Sequence, residues 1–283
     1  MNVKFPAAMA AVTILAAATL SGCSGGSSPT AVSADCKPKH EFKTLKKGTL
    51  TVVSFDLPPF SKVQGNDLVG VDGDILKAIA KMECLTVSVK PAGAAAVIPT
   101  AQAGRADLAA GDWYRTAARA KVVDLSDPLY LDEMALISKQ GVNSIPDLKS
   151  KGLTVGTTEG YLWVSDLKTY LGSKMKTYAS PVNCYQDLQA GRLDVCVDSY
   201  GSAVYTTKGK DLKVEKAKPF DKVTASVEAA QSTFPMPKGH PDMLKAINAD
   251  IAALRSSGEL AKILTRNGLQ ASAAEVGDPR LIK

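Results

Sequence analysis

The chain has 283 residues, 45% of them hydrophobic and 22% charged, enough to bury a substantial core in one or two domains. Its formal net charge of +6 is spread along the chain and forms no basic run of the kind that grips nucleic acid. Two histidines, His40 and His240, exclude a histidine-rich metal site, and no phosphate loop, His-Glu-x-x-His or Gly-x-Ser-x-Gly motif occurs, so no cofactor is expected.

Lys4 gives a thin positive start, and Ala7 to Leu20 is an apolar stretch too short to span a bilayer comfortably. Leu20-Ser21-Gly22-Cys23 resembles the lipobox of bacterial lipoproteins, in which the peptide is cut before the Cys and the thiol is lipidated. Residues 1–22 then read as a signal peptide. Residues 23–35, rich in Ser, Gly, Ala and Pro, read as a lipidated Cys23 and a flexible tether.

Gly48 to Phe55 is β-rich and reads as the first strand. Asp56-Leu57-Pro58-Pro59-Phe60 follows as a loop at its carboxyl end, because the two prolines cannot continue a regular element. Asp72 or Asp74 can cap the next helix, Ile75 to Met82, which sets Ile75, Ala78, Ile79 and Met82 on one face. Leu85 to Val89 alternates as a second strand and Ile98 to Ala103 is a short helix. Gly104-Arg105-Ala106-Asp107 leads into a strand ending at Gly111. This β-α-β-α-β order predicts an α/β sheet with right-handed crossovers. Asp112, Trp113 and Tyr114 stand at the end of that strand, before a helix-compatible segment that holds Thr116 and Arg119. Polar and aromatic groups at a strand end that runs into a helix start are where α/β proteins hold small ligands.

Leu131 to Lys139 is expected to cross to a second lobe. There Leu153 to Thr158 is a strand, Glu159-Gly160-Tyr161-Leu162 opens a helix to Leu171, and Val182 to Ala190 is another helix. Gly191-Arg192-Leu193-Asp194 repeats the pattern of Gly104-Arg105-Ala106-Asp107, which points to one topology in both lobes. The strand Val195-Cys196-Val197 ends at Asp198-Ser199-Tyr200, ahead of a helix from Ser202 to Thr207. Val223 to Phe234 reads as a return strand. Two helices, Met243 to Leu254 and Gly258 to Leu264, close the pattern.

Thr116, Arg119 and the run Leu125-Ser126-Asp127-Pro128-Leu129-Tyr130 resemble the signature of periplasmic amino-acid-binding proteins, the family 3 solute-binding components of ABC importers. Gly70-Val71-Asp72-Gly73-Asp74-Ile75, Ile145-Pro146-Asp147-Leu148 and the closing helices extend the resemblance over roughly Gly48 to Gly268. It implies an α/β, two-lobed fold of the type II periplasmic-binding-protein kind, with the ligand in a cleft between lobes joined by two crossing strands. Lobe 1 would comprise 36–134 plus 230–283, and lobe 2 residues 135–229.

The resemblance also implies roles. Arg119 would grip the ligand α-carboxylate through the paired N–H groups of its planar guanidinium. The family's ammonium-binding Asp falls on Asp198 or Ser199. Asp198 is preferred because a cation wants a charged acceptor, with Asp112 or Asp56 assisting. Tyr114, Trp113 and Phe60 would shape the wall, and Trp163 either lines the cleft or packs. Backbone N–H groups at Gly160 and Tyr161 would receive the carboxylate at a helix N-terminus. Asp56, Asp112, Glu159 and Asp198 together favour a polar or basic amino acid.

With Cys23 lipidated, Cys36, Cys84, Cys184 and Cys196 allow three pairings. Cys36–Cys84 with Cys184–Cys196 keeps each bond within one lobe. The expected protein is a monomeric binding protein, not an enzyme. It would be held outside the cytoplasm by the lipid on Cys23 (palmitate among its acyl chains), and it would hand a free amino acid to a separate permease and its ATPase. Two competing classes share the pattern. One is an exported dehydratase for prephenate- or arogenate-type acids, with Glu159 or Asp112 as general acid. The other is a lipoprotein sensor or interaction module.

Overall fold

The computed structural model describes Met1, Asn2, Val32 and residues 35–282. The expected signal peptide, Cys23 and most of the tether lie outside the described residues.

Two parallel β-cores are built on the same plan. In the first, strand Thr49–Ser54 lies between Thr86–Pro91 and Leu108–Ala109, parallel to both. In the second, Val155–Thr158 lies between Met175–Tyr178 and Val195–Ser199, again parallel to both. Spatial order is therefore second–first–third strand in each lobe. The repeated Gly-Arg-x-Asp explains part of this likeness. Asp107 accepts from the backbone N–H of Thr51 at 2.7 Å while its own N–H donates to the Thr51 carbonyl at 2.8 Å. Asp194 accepts from the Thr154 N–H at 2.7 Å, and its N–H donates to the Thr154 carbonyl at 3.0 Å. In each lobe the Asp thus pins the third strand to the first.

The apolar core of the first lobe includes Leu50, Val52, Ile75, Ile79 and Leu108, and the closing helices Pro241–Ser256 and Glu259–Arg266 seal it with Ile247, Leu260 and Ile263. The second lobe extends its parallel core with two antiparallel strands, Met134–Ser138 and Lys213–Lys216. The chain crosses between lobes at Leu131–Asp132 and again at Ala230–Thr233. These segments pair with each other, Ala230 opposite Asp132 and Gln231 opposite Leu131. Ala230–Thr233 also pairs with Trp113–Tyr114. This small hinge sheet places Trp113, Tyr114 and Asp132 between the lobes.

Three local expectations are corrected. The helix expected from Glu159 starts only at Val164, and Gly160 takes a left-handed turn (φ 80°) ahead of it. The expected return strand Val223–Phe234 is reduced to Ala230–Thr233, because Thr224–Ser226 coils into a 3₁₀ turn. Asp72 does not cap its helix. It sits in the first turn of Val71–Met82 and reaches across to the third strand of its lobe. Asp74 instead holds Arg266 and Asn267, each at 3.0 Å. Beyond the closing helices the tail returns to the hinge, where Ile282 packs with Tyr114, Met134 and Val223.

Both expected disulfides are present, Cys36–Cys84 with Cα atoms 5.7 Å apart and Cys184–Cys196 with Cα atoms 6.2 Å apart. The first ties the segment before the first strand to the end of helix Val71–Met82. The second ties helix Pro181–Gln189 to the third strand of its lobe.

Candidate functional site

A narrow cleft lies between the lobes at the carboxyl ends of their parallel strands. The first lobe supplies Phe55, Leu57, Gly111, Asp112, Trp113, Tyr114 and Arg119. The second supplies Tyr161, Leu162, Trp163 and Ser199. Its walls are aromatic. Phe55 meets Trp113 at 5.7 Å, and Tyr161 stands edge-on to Trp163 at 5.3 Å between ring centroids. Such rings offer large apolar area at little conformational cost.

Arg119 reaches this cavity because Thr116 caps the short helix Ala117–Val122, its hydroxyl accepting from the Arg119 N–H at 3.1 Å. The side chain folds back over the Trp113 ring, 4.7 Å from its centroid. One Nη donates to the Tyr114 carbonyl at 2.8 Å and the other to the Gly160 carbonyl across the cleft at 3.5 Å. Burial pulls its pKa down to about 10, so it remains a cation at neutral pH. The guanidinium keeps further N–H donors for a carboxylate.

Asp112 is placed by backbone geometry. Gly111 and Asp112 both have positive φ, 124° and 53°. A Cβ at position 111 would fall 2.6 Å from the Phe55 ring, so glycine is required there. The turn is clamped from beneath by Asp72, whose Oδ2 accepts from the N–H groups of Gly111 and Asp112 at 2.7 and 3.0 Å, while its Oδ1 accepts from the Tyr130 hydroxyl at 2.7 Å. Held this way, Asp112 is buried, and among the described residues both its carboxylate oxygens are unpartnered. Burial first, then the neighbouring Asp132 charge, push its pKa well above the carboxylate range. Asp132, on the hinge, accepts from the Tyr114 hydroxyl at 2.8 Å and the Gly201 N–H at 3.3 Å, and burial raises its pKa too. Two buried carboxyls close enough to raise each other's cost of ionisation form a site suited to positive charge. The Tyr161 hydroxyl is a second unpartnered polar group on the same wall.

Of the residues singled out in the sequence, Arg119, Asp112, Trp113, Tyr114, Tyr161 and Ser199 come together here. Others do not. Asp198 is not among the residues that line the cleft, though after burial its charge helps to raise the pKa of the Tyr161 hydroxyl there. Its Oδ2 accepts from the Tyr185 hydroxyl at 3.0 Å and the Ser202 hydroxyl at 3.2 Å, and its Oδ1 from the Ser199 N–H at 2.8 Å. Burial raises its pKa to about 7. Ser199 faces the cavity and also caps the next helix by accepting from the Ser202 N–H at 3.2 Å. Asp56 is exposed outside the cavity and accepts from the Val63 N–H at 2.8 Å, as a turn residue does. Phe60 lies behind the wall, stacked on Tyr130 at 5.4 Å. Glu159 is exposed and meets Thr177 at 3.4 Å. Gly160 packs on Ala95 of the opposite lobe and offers its carbonyl to Arg119, an acceptor between lobes. Trp163 does both things open to it: it lines the cavity, and its indole N–H donates to Thr157 at 2.7 Å.

Phe55, Leu162 and Asp132 were not foreseen as lining or supporting the site. Asp132 carried one visible signal: with Glu133 it forms an acid pair just ahead of the apolar run Met134 to Ile137. One consequence is testable at once. Asp198→Asn is expected to change ligand affinity by less than about threefold (under ~0.7 kcal/mol), while it removes a pH dependence of stability. With its folded pKa raised to about 7, Asp198 loses stability as pH rises from about 4 towards 7, and the variant should lack that slope in melts taken across this range. A large affinity loss would put Asp198 back at the ligand.

Fold and cavity together define a two-lobed ligand-binding protein of the periplasmic type. The chain belongs to the bacterial extracellular solute-binding proteins, family 3, whose family model matches residues 50–270. Among curated relatives, the L-cystine-binding protein TcyJ of Escherichia coli strain K12 is 28% identical over 227 residues, 77% of this chain and 82% of the relative. The arginine-binding extracellular protein ArtP of Bacillus subtilis strain 168 is 26% identical over 77% of this chain and 85% of the relative. Among solved structures, an ancestral arginine-binding protein bound to arginine superposes with a TM-score of 0.69 at 28% identity, over 78% of this chain and 99% of that one. The ancestral amino acid-binding protein AncCDT-1, a precursor of cyclohexadienyl dehydratase, gives 0.68 at 26% identity, over 77% and 94%.

Proposed function

We propose that this chain captures a free amino acid outside the cytoplasm by closure of its two lobes and delivers it to an ABC permease and its ATPase. One observation carries the reading: a guanidinium, Arg119, and an unpartnered buried carboxylate, Asp112, face one cavity. These are complements for the two charges of a zwitterion. Contacts from both lobes to one ligand favour the closed arrangement. The hinge pairing of Leu131–Asp132 with Ala230–Thr233 gives the lobes a short axis to close about. Relatives that bind cystine and arginine support an amino acid as ligand. Asp132 beside Asp112 provides more negative charge than an ammonium alone needs, which favours a basic or strongly polar side chain. The lipobox-like Leu20-Ser21-Gly22-Cys23 supports a lipid anchor at Cys23, which keeps the protein near its permease.

A second reading, a dehydratase on this scaffold, is favoured by one feature: Asp112, its pKa raised by burial and by Asp132, shares the cleft with Arg119, as a general acid would. One experiment separates the two. In a thermal-shift screen against the proteinogenic amino acids, a ligand of the folded state raises the melting temperature with its concentration. Basic or polar amino acids are expected to shift the melt and to be recovered unchanged. Shifts confined to acidic amino acids would overturn the proposed side-chain preference. Release of carbon dioxide and water from prephenate- or arogenate-type acids would favour the enzyme.

A further inference from the structure

A second cluster of chemistry-bearing groups lies in the first lobe, among residues that the cavity does not use. His40 follows the Cys36–Cys84 bond, Glu83 ends helix Val71–Met82, and Asp250 lies within helix Pro241–Ser256. One ligating atom from each lies within 4.8 Å of the other two. The Glu83 and Asp250 side chains are almost wholly buried. His40 Nδ1 is 2.7 Å from Glu83 Oε1 and 3.9 Å from Asp250 Oδ1. Among the described residues, both Asp250 oxygens are buried without a hydrogen-bond partner. A buried carboxylate with no partner, turned towards a second carboxylate, is a costly arrangement unless a cation completes it.

We propose that His40, Glu83 and Asp250 form a binding site for one divalent transition cation, zinc or manganese. One imidazole nitrogen and two carboxylate oxygens are a donor set that suits such ions. Metal–ligand bonds of about 2.0–2.2 Å set neighbouring donor atoms about 3.3 Å apart in a tetrahedral shell. The two separations from His40 Nδ1 bracket that value, so small side-chain rotations suffice. The second Glu83 oxygen accepts from the His40 backbone N–H at 3.0 Å, which orients the first towards the site. His40 is about one-third exposed and gives the ion a way in. On the same segment the Lys39 ammonium lies 3.3 Å from Met82 Sδ. A bound ion would fasten three distant stretches of chain together next to the disulfide, where the sequence leads back towards Cys23.

The test is calorimetric titration of the purified, disulfide-intact chain with zinc chloride and with manganese chloride, alongside melts with metal or with EDTA. Binding of one ion is expected, with a rise in melting temperature that EDTA reverses. His40→Gln and Asp250→Asn should each weaken binding by about tenfold or more. His240→Gln, at the exposed start of helix Pro241–Ser256, should leave it unchanged. In EDTA, Asp250→Asn should melt higher than the native chain, because it removes a buried carboxyl whose oxygens lack hydrogen-bond partners and that lies against Glu83. Absence of binding by both metals overturns the proposal. So does metal stabilisation that survives both His40→Gln and Asp250→Asn, or an Asp250→Asn chain that melts lower in EDTA.

Discussion

Arg119→Ala is expected to lose about 2–5 kcal/mol of ligand affinity, the loss seen when one partner of a buried charge pair is removed, or about 30- to 5,000-fold in Kd. The magnitude follows from where the guanidinium sits. It lies over Trp113 and at the mouth between lobes, so a ligand carboxylate bound to it is shielded from water. Loss of the side chain leaves that carboxylate without its counter-charge. It also removes the contact from Arg119 to the Gly160 carbonyl, one of the links between lobes. Arg119→Lys keeps the charge but not the paired N–H geometry, and should recover only part of the loss. Titration calorimetry with the ligand found by screening measures all three proteins. Native-like affinity in Arg119→Ala would move the carboxylate site elsewhere in the cleft. The fold is expected to tolerate both changes, since Arg119 is only half-buried and Thr116 caps its helix through the backbone of residue 119.

Arg119 was legible because it belongs to an ordered pattern, a capping Thr and an Arg three residues on, at the end of a strand. The two-lobed plan was legible for a similar reason: the Gly-Arg-x-Asp pairs recur and perform the same pinning bond in each lobe. What stayed hidden depended on single-residue register. Asp198 and Ser199 are adjacent and only Ser199 lines the cleft, a difference of one residue in register that composition alone does not settle. Gly160 and Tyr161 read as a helix start, yet the helix begins only at Val164, after Leu162 and Trp163. Asp72 read as a cap because caps are local. Its partners, Gly111, Asp112 and Tyr130, are distant in sequence and meet it only through the packing of helix Val71–Met82 on the strand ends. Asp112 itself was visible as a polar group in the right place, but that both its oxygens lack partners is a property of the assembled cavity.

Asp112→Asn is expected to weaken ligand binding by about 2–5 kcal/mol and, in the same protein, to raise the stability of the free form by about 1–2 kcal/mol. The two effects have one cause. Asp72 engages the Gly111 and Asp112 N–H groups, and the positive-φ turn then delivers the Asp112 carboxyl into an apolar, aromatic cavity. Burial and the Asp132 charge raise its pKa well above 3.8. Where the folded state holds a proton that the unfolded chain has released, stability falls as pH rises. For Asp112 that fall begins at the unfolded carboxylate pKa near 4 and continues upward to its folded pKa. A ligand ammonium reverses the preference, because it needs the ionised carboxylate. Binding within that window should therefore expel a proton, and affinity should increase with pH. Calorimetry in two buffers of different ionisation enthalpy reads the proton directly. Asp112→Asn should release less, bind cationic groups weakly and melt higher without ligand. Equal proton release from the variant would mean that Asp132 alone receives the cation, and undiminished affinity would mean that neither the charge nor the position of Asp112 matters to the ligand.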